Sequence, residues 1–321
     1  MASNEEKQCL CIDHHDLLHL IHRYGCGAML LPQLRTLALR LELYPSEAAI
    51  GRAVRALKSA GVLKRMTWLD GRSELLVGCK YMFRYFAGAV SSQEVAAAKK
   101  YNTARQYMAQ CCKVDYLLRT LDHYQQLRTL EDVEHYLKSA GSTLFLRTPE
   151  LPEYFAAYPP YSRYDPAEHA AQLDELRRLA ALRSRVNDPS VTAPPAPLML
   201  VLTLDTLHRR GVYVAKITQK SIILVRYDYA NTLTAPRILD WALDAYDILH
   251  PLLPSLEISF RVQALDELGQ AHLVEQLSAP YRGLTYTESR LSARHIDSGL
   301  SVIIQNSNVM DRWLGGVHVL L

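Results

Sequence analysis

No stretch of the 321-residue sequence stays apolar over the roughly 20 residues that a helical bilayer crossing requires, so no membrane partner is expected. The phosphate-cradling pattern G-x-x-x-x-G-K-[ST] is missing, and so is the G-x-S-x-G elbow. Their absence removes two recognisable routes to nucleotide hydrolysis and to serine-hydrolase chemistry. Gly315 and Gly316 on their own signal only a turn. Six cysteines (Cys9, Cys11, Cys26, Cys79, Cys111 and Cys112) are too few and too unevenly spread for a disulfide framework at this length, and reduced thiols are expected. The start, MASNEEKQ, lacks the charged-then-apolar order of a secretory signal, so cytoplasmic residence is expected. No internal repeat is evident. Net charge is only +3, which argues against a bulk polyelectrolyte binder.

What is present is enough apolar content, 49%, to build two or three packed domains. The charge that exists is unevenly placed: residues 19–90 carry eleven Lys and Arg against four Asp and Glu. That same segment has the clearest pattern. DLLHLIHRYG sets Leu17, Leu20, Ile21 and Tyr24 at helical spacing and stops at Gly25 and Gly27. LPQLRTLALRL starts a second helix, with Pro32 where its missing N–H costs nothing. Ser46 is a good N-cap for a third helix, which repeats Ile50, Val54 and Leu57 along one side and ends at Gly61. Two apolar-rich strands then flank Asp70-Gly71, a strong hairpin signal.

Turning Ile50, Val54 and Leu57 inward leaves Gly51, Arg52, Arg55, Lys58 and Ser59 on the other side of the third helix. A helix fits the major groove, and the planar fork of arginine suits both phosphates and base edges. The helix N-terminus at Ser46 offers free N–H groups to a phosphate, with Glu47 opposing locally. Lys64, Arg65, Trp68 and Arg72 lie on or beside the hairpin, and Arg35 lies on the second helix.

The phrase SEAAIGRAVRALKSAGVLKRMTW, followed by GRSELLVG, resembles the winged helix-turn-helix superfamily. In outline it is similar to bacterial transcriptional regulators and to replication-relaxation proteins of mobile elements. The resemblance covers about the first quarter of the chain and implies a double-stranded DNA reader with Arg35, Ser46, Arg52, Arg55, Lys58, Lys64, Arg65, Trp68 and Arg72 at the duplex. A winged helix serving as a protein-assembly module is the competing reading.

The expected fold class is α+β in three parts: a winged helix over residues 10–90, a helical connector or dimerisation region over 91–187, and a small domain with a mainly antiparallel sheet over 197–321. Residues 91–127 are rich in Ala, Gln, Leu and Lys and predict one long helix or two in series, a candidate homodimer contact or an intrachain connector. Thr129 to Asp132 starts another helix with an imperfect capping box. STLFLR predicts a short strand. Tyr154, Phe155, Tyr158, Tyr161 and Tyr164 then form an ordered loop that packs on the body, base stacking being the alternative. An amphipathic helix over 167–186 and a linker at 187–197 complete this part.

In the last part LMLVLTLD, GVYVAKIT, SIILVRYDY, LEISFRVQAL, SVIIQ and GVHVLL predict strands. PRILDWALDAYDILHPLLP predicts a helix bounded by Pro236 and Pro251, with Asp240, Asp244 and Asp247 as its solvated face. This part is expected to bind an effector or a protein partner. A metal-dependent nuclease there is the enzymatic alternative, with Asp205, Asp228 and Glu257 as carboxylates, although Glu257-Ile258-Ser259 lacks the Glu-x-Lys spacing. No cofactor and no metal are assigned. Cys9, Cys11, His14, His15, His19, His22 and Cys26 fall close together, and a solvated or partner-facing histidine stripe is favoured over structural zinc.

Overall fold

Ser3 opens the first helix of the computed structural model, which describes residues 2–67, 73–89, 104–165, 167–168, 171, 203–229, 232–279, 285–287, 290–292 and 299–314. In α1 (Asn4–Asp13) the Ser3 hydroxyl accepts from Glu6 N–H at 3.1 Å while the Glu6 carboxylate accepts from Ser3 N–H at 2.6 Å. α2 (His15–His19) runs into a π-helical turn, Leu20–Tyr24, closed by the Gly25 N–H donating to the Leu20 carbonyl. Leu17, Leu20, Ile21 and Tyr24 are buried, as their spacing requires. The chain reverses at Gly27, where φ is +92° and a Cβ would sit 2.5 Å from the Phe83 ring.

β1 (Ala28–Leu30), α3 (Leu31–Arg40), α4 (Glu47–Ser59), β2 (Leu63–Thr67) and β3 (Glu74–Gly78) follow in order. The three strands form an antiparallel sheet ordered β1-β3-β2, with Leu75 opposite both Leu30 and Met66. α5 (Lys80–Ala87) closes this region. The Asp70-Gly71 turn lies outside the described residues.

α6 (Ala104–His123) runs through the middle of the molecule. Met108, Cys111, Cys112, Val114, Leu117, Leu118 and Leu121 are all buried in one core with α2, α3, β1 and part of the C-terminal sheet. Polar ties reinforce the packing: Gln33 Nε2 donates to the Cys111 carbonyl and an Arg40 amino group to that of Leu121, both at 2.8 Å. The buried apolar residues of the described part of this helix are used within the chain. Residues 91–103 lie outside the described set. α7 (Leu130–Ser139) has a complete capping box, since Thr129 and Asp132 each accept from the other's backbone N–H.

STLFLR is a turn, not a strand. Leu144 is buried in the first core, while Thr143 bonds the backbone of Val214, its N–H donating to the Val214 carbonyl at 2.8 Å. The aromatic segment folds into α8 (Leu151–Ala157) and a 3-10 turn, Pro159–Tyr161. Phe155, Tyr161 and Tyr164 are buried and meet edge to face, so the segment packs on the body. Nearly all of the helix expected over 167–186, and the whole linker at 187–197, lie outside the described residues.

The end of LMLVLTLD is helical, because the Thr203 hydroxyl accepts from Thr206 N–H and starts α9 (Leu204–Arg209). There follow β4 (Val212–Ile217), β5 (Ser221–Asp228), α10 (Ala235–Leu249), β6 (Glu257–Ala264), α11 (Glu267–Leu277), β7 (Thr285–Thr287), β8 (Arg290–Ser292), β9 (Leu300–Asn306) and α12 (Val309–Leu314). GVHVLL lies outside the described residues. The sheet, ordered β4-β5-β6-β9-β8-β7, is mixed where a mainly antiparallel one is expected from the sequence. Its outer pairs are antiparallel, but β5–β6 and β6–β9 are parallel, because α10 and α11 carry the chain back between successive strands. One face packs against α6. The other carries Ile222, Leu224, Phe260, Val262 and Val302 into a second core with α8 to α11.

Candidate nucleic-acid interface

α4 is positioned by its own polarity. Ile50, Ala53, Val54 and Leu57 are buried, and the Ser46 hydroxyl accepts from Ala49 N–H at the helix start. Arg52, Arg55 and Ser59 are exposed on the opposite side. Gly51 lies between the two arginines, and a Cβ there would meet the Arg55 guanidinium at 3.6 Å, ordinary contact. Among the described residues no carboxylate forms an ion pair with Arg52, Arg55 or Lys64.

The remaining candidates are more engaged. Lys58 is half-buried, its ammonium 2.8 Å from the Glu74 carboxylate, and Arg65 Nε approaches the same carboxylate at 3.7 Å. Glu74 therefore clasps the end of α4 to the β2–β3 hairpin, a role absent from the sequence reading. Glu74 stands opposite Thr67 in the strand register, a pairing that only the folded hairpin creates. Arg35 lies 3.7 Å from Glu47, so the acid at the α4 N-terminus faces a cation of α3. In β2, Lys64 through Thr67 are exposed after buried Leu63, leaving Lys64 and Arg65 in solvent beside α4. Trp68 and Arg72 lie outside the described residues.

The histidine stripe lies against the aromatic helix α5, with His15 exposed and His19 and His22 half-buried. His15, His19 and His22 place their rings 5.4, 6.1 and 4.3 Å from that of Phe86, the last pair stacked. The rings also have polar partners: Tyr44 for His14, Tyr85 for His15, Glu134 for His19 and Arg147 for His22. Burial lowers the pKa of His19, and burial together with the Arg147 charge pushes His22 down to about 4. Cys11 is buried and its thiol is pushed up to about 11, while Cys9 is exposed. Among the described residues no group of three His, Cys, Asp or Glu side chains is arranged to hold a metal ion.

The three candidate carboxylates do not converge. Asp228 closes the C-terminal end of β5, where it is buried and accepts from the N–H groups of Thr232 and Leu233. Glu257 is exposed at the opposite end, level with Ser221. Seven residues of strand at about 3.3 Å each separate them by about 23 Å. Asp205 accepts hydrogen bonds from Tyr164 and Thr203 and pairs with Arg209 at 2.9 Å. Burial pushes its carboxyl up, yet these bonds and the Arg209 charge hold it below the usual carboxylate range. On α10, Asp244 pairs with Arg210 at 3.0 Å, and of the three expected solvated acids Asp247 is exposed while Asp240 and Asp244 are half-buried.

No protein-family model, curated protein or solved structure matches this chain. No helix among the described residues is long and apolar enough to cross a membrane.

Proposed function

We propose that the chain binds double-stranded DNA sequence-specifically through a winged helix at its N-terminal end, with α4 in the major groove. The observation that carries this reading is the two-sidedness of α4, whose apolar side is buried while Arg52 and Arg55 stand in solvent with no acidic partner among the described residues. The helix-strand-helix-helix-hairpin order and the β1-β3-β2 sheet support it, since this is the topology that a winged helix requires. In this reading Arg52 and Arg55 read base edges. Lys64 and Arg65 on β2 anchor phosphates, Ser46 presents the helix start, and Lys58, held by Glu74, fixes the angle between reading helix and wing. The role proposed is that of a transcriptional regulator or an accessory factor in plasmid or phage replication.

The test is a titration of the full chain with a mixed-sequence duplex at several salt concentrations, followed by selection of a preferred site. Salt-dependent binding is expected, and replacing Arg52 and Arg55 with Ala should weaken the selected site by roughly 1–3 kcal/mol per residue with no change in melting temperature. Lys64→Ala should lower affinity for all sequences alike and reduce the salt slope by about one. Duplex affinity unchanged in Arg52→Ala/Arg55→Ala overturns the assignment. Partner binding with no salt-sensitive DNA binding would transfer the fold to protein assembly.

A further inference from the structure

Far from α4 in the sequence, a cavity of about 340 Å³ lies between α6 and α7 on one side and the C-terminal sheet on the other. Its size suits a small organic molecule. Arg119 of α6, Lys216 of β4 and Arg261 of β6 line it, and no carboxylate does so among the described residues. Like charges gathered around one cavity repel, and an anion seated between them relieves that repulsion.

The three cations differ in how far they are satisfied. Arg119 is paired within the fold, its Nε 2.9 Å from buried Asp115, which it shares with Arg312, and an amino group donating to Gln263 at 3.2 Å. Lys216 and Arg261 have no ion-pair partner among the described residues. Lys216 Nζ donates to the Tyr124 hydroxyl at 2.5 Å and lies 4.8 Å from that ring's centre. Among the described residues the Arg261 side chain makes one hydrogen-bond contact, at 3.5 Å with Ser259 Oγ. Two uncompensated positive charges match one dianion.

The sheet gives a second, independent observation. Ile258, Phe260 and Val262 of β6 enter the apolar second core, whereas the alternate residues Ser259, Arg261 and Gln263 point to the α6 side. Ser301 and Gln305 continue this polar band on β9, in register with Ser259 and Gln263. A central strand buried on both faces normally reads as a continuous apolar run. Of this band Arg261 and Gln305 line the cavity; Gln263 beside them is bonded to Arg119 and Gln305, so the polar group still in need of company is the Arg261 guanidinium.

We propose that this cavity binds a small molecule carrying at least two negative charges on oxygen, as a phosphate monoester or a polycarboxylate does, with Lys216 and Arg261 as its charge partners. The inference is independent of the DNA reading and is tested without nucleic acid duplexes. The full chain is titrated calorimetrically with glucose 6-phosphate, adenosine monophosphate and citrate, and with uncharged glucose and adenosine. Saturable binding of at least one anion is expected, with its uncharged counterpart inert. Citrate alone binding assigns the carboxylate source, and either phosphate ester alone the phosphate source. Lys216→Gln and Arg261→Gln should each weaken binding at least about tenfold, and Arg261→Lys should retain most of it. If Lys216→Gln fails to fold, the Arg261 pair of variants carries the comparison. Absence of saturable binding by all three anions overturns the proposal, as does equal binding of an uncharged counterpart or binding that Arg261→Gln leaves unchanged.

Discussion

Acidification should loosen the molecule through His22. Its Nε2 accepts a 2.8 Å hydrogen bond from an Arg147 amino group, which requires the neutral ring, because a protonated imidazole has no lone pair to offer and would confront a guanidinium. The ring is also stacked on Phe86 at 4.3 Å, and burial with the Arg147 charge holds its pKa at about 4 instead of 6.5. The unfolded chain therefore takes up the proton first. Stability is complete above pH 6.5, is lost as pH falls toward 4, and loses nothing further from this group below that. The difference between about 4 in the folded chain and 6.5 in the unfolded one, at about 1.36 kcal/mol for each tenfold in proton affinity, sets a ceiling of roughly 3 kcal/mol. The ring keeps partial solvent access, so screening reduces the effect to about 1–2 kcal/mol. His22→Gln retains an acceptor for Arg147 and cannot titrate. The variant should be less stable than the wild type at pH 7, for want of the stacked ring, and that gap should close by about 1–3 °C in melting temperature at pH 4.5. His19, whose pKa is also lowered, is present in both proteins and cancels from the difference. A gap that stays constant between pH 7 and pH 4.5 refutes the reasoning.

Two other perturbations probe the framework around the candidate sites. Asp115 is fully buried on α6 and accepts from Trp313 Nε1 at 2.7 Å while pairing with Arg119 at 2.9 Å and Arg312 at 3.2 Å. Asp115→Ala strands two guanidinium groups and an indole N–H; both arginines are about one third exposed and can rehydrate, so the expected cost is about 2–4 kcal/mol in urea unfolding. A loss below about 0.5 kcal/mol would show that the cluster is not a structural tie. Ser46→Ala removes the cap of α4 and should cost about 1 kcal/mol, read as a lower urea midpoint at unchanged slope.

The local elements of the N-terminal end are readable without coordinates. Helix spacing at Leu17 to Tyr24, the Ser46 cap, and the Ile50, Val54 and Leu57 stripe each depend on neighbours within a few residues, and so do the strands at 212–217, 221–228 and 257–264. β1 escapes notice because three residues are too few to display a period. The apolar LMLVLT run ends as a helix start because Thr203 bonds forward to Thr206, a choice that propensity does not reveal. α6 shows no single apolar stripe because it is buried on more than one side, against the N-terminal helices and against the C-terminal sheet.

The sites divide along the same line. The sequence by itself determined that α4 has an apolar side and a cationic side, since a helix repeats every 3.6 residues and the two sets interleave at that period. Only the tertiary structure decided that Glu74 clasps Lys58, that the histidines stack on α5, that Asp228 and Glu257 stand at opposite ends of the sheet, and that Arg119, Lys216 and Arg261 line one cavity. These juxtapositions join residues from 16 to more than 100 positions apart in the chain, a separation over which no local periodicity acts; only strand register and the packing of helices on sheets bring them together.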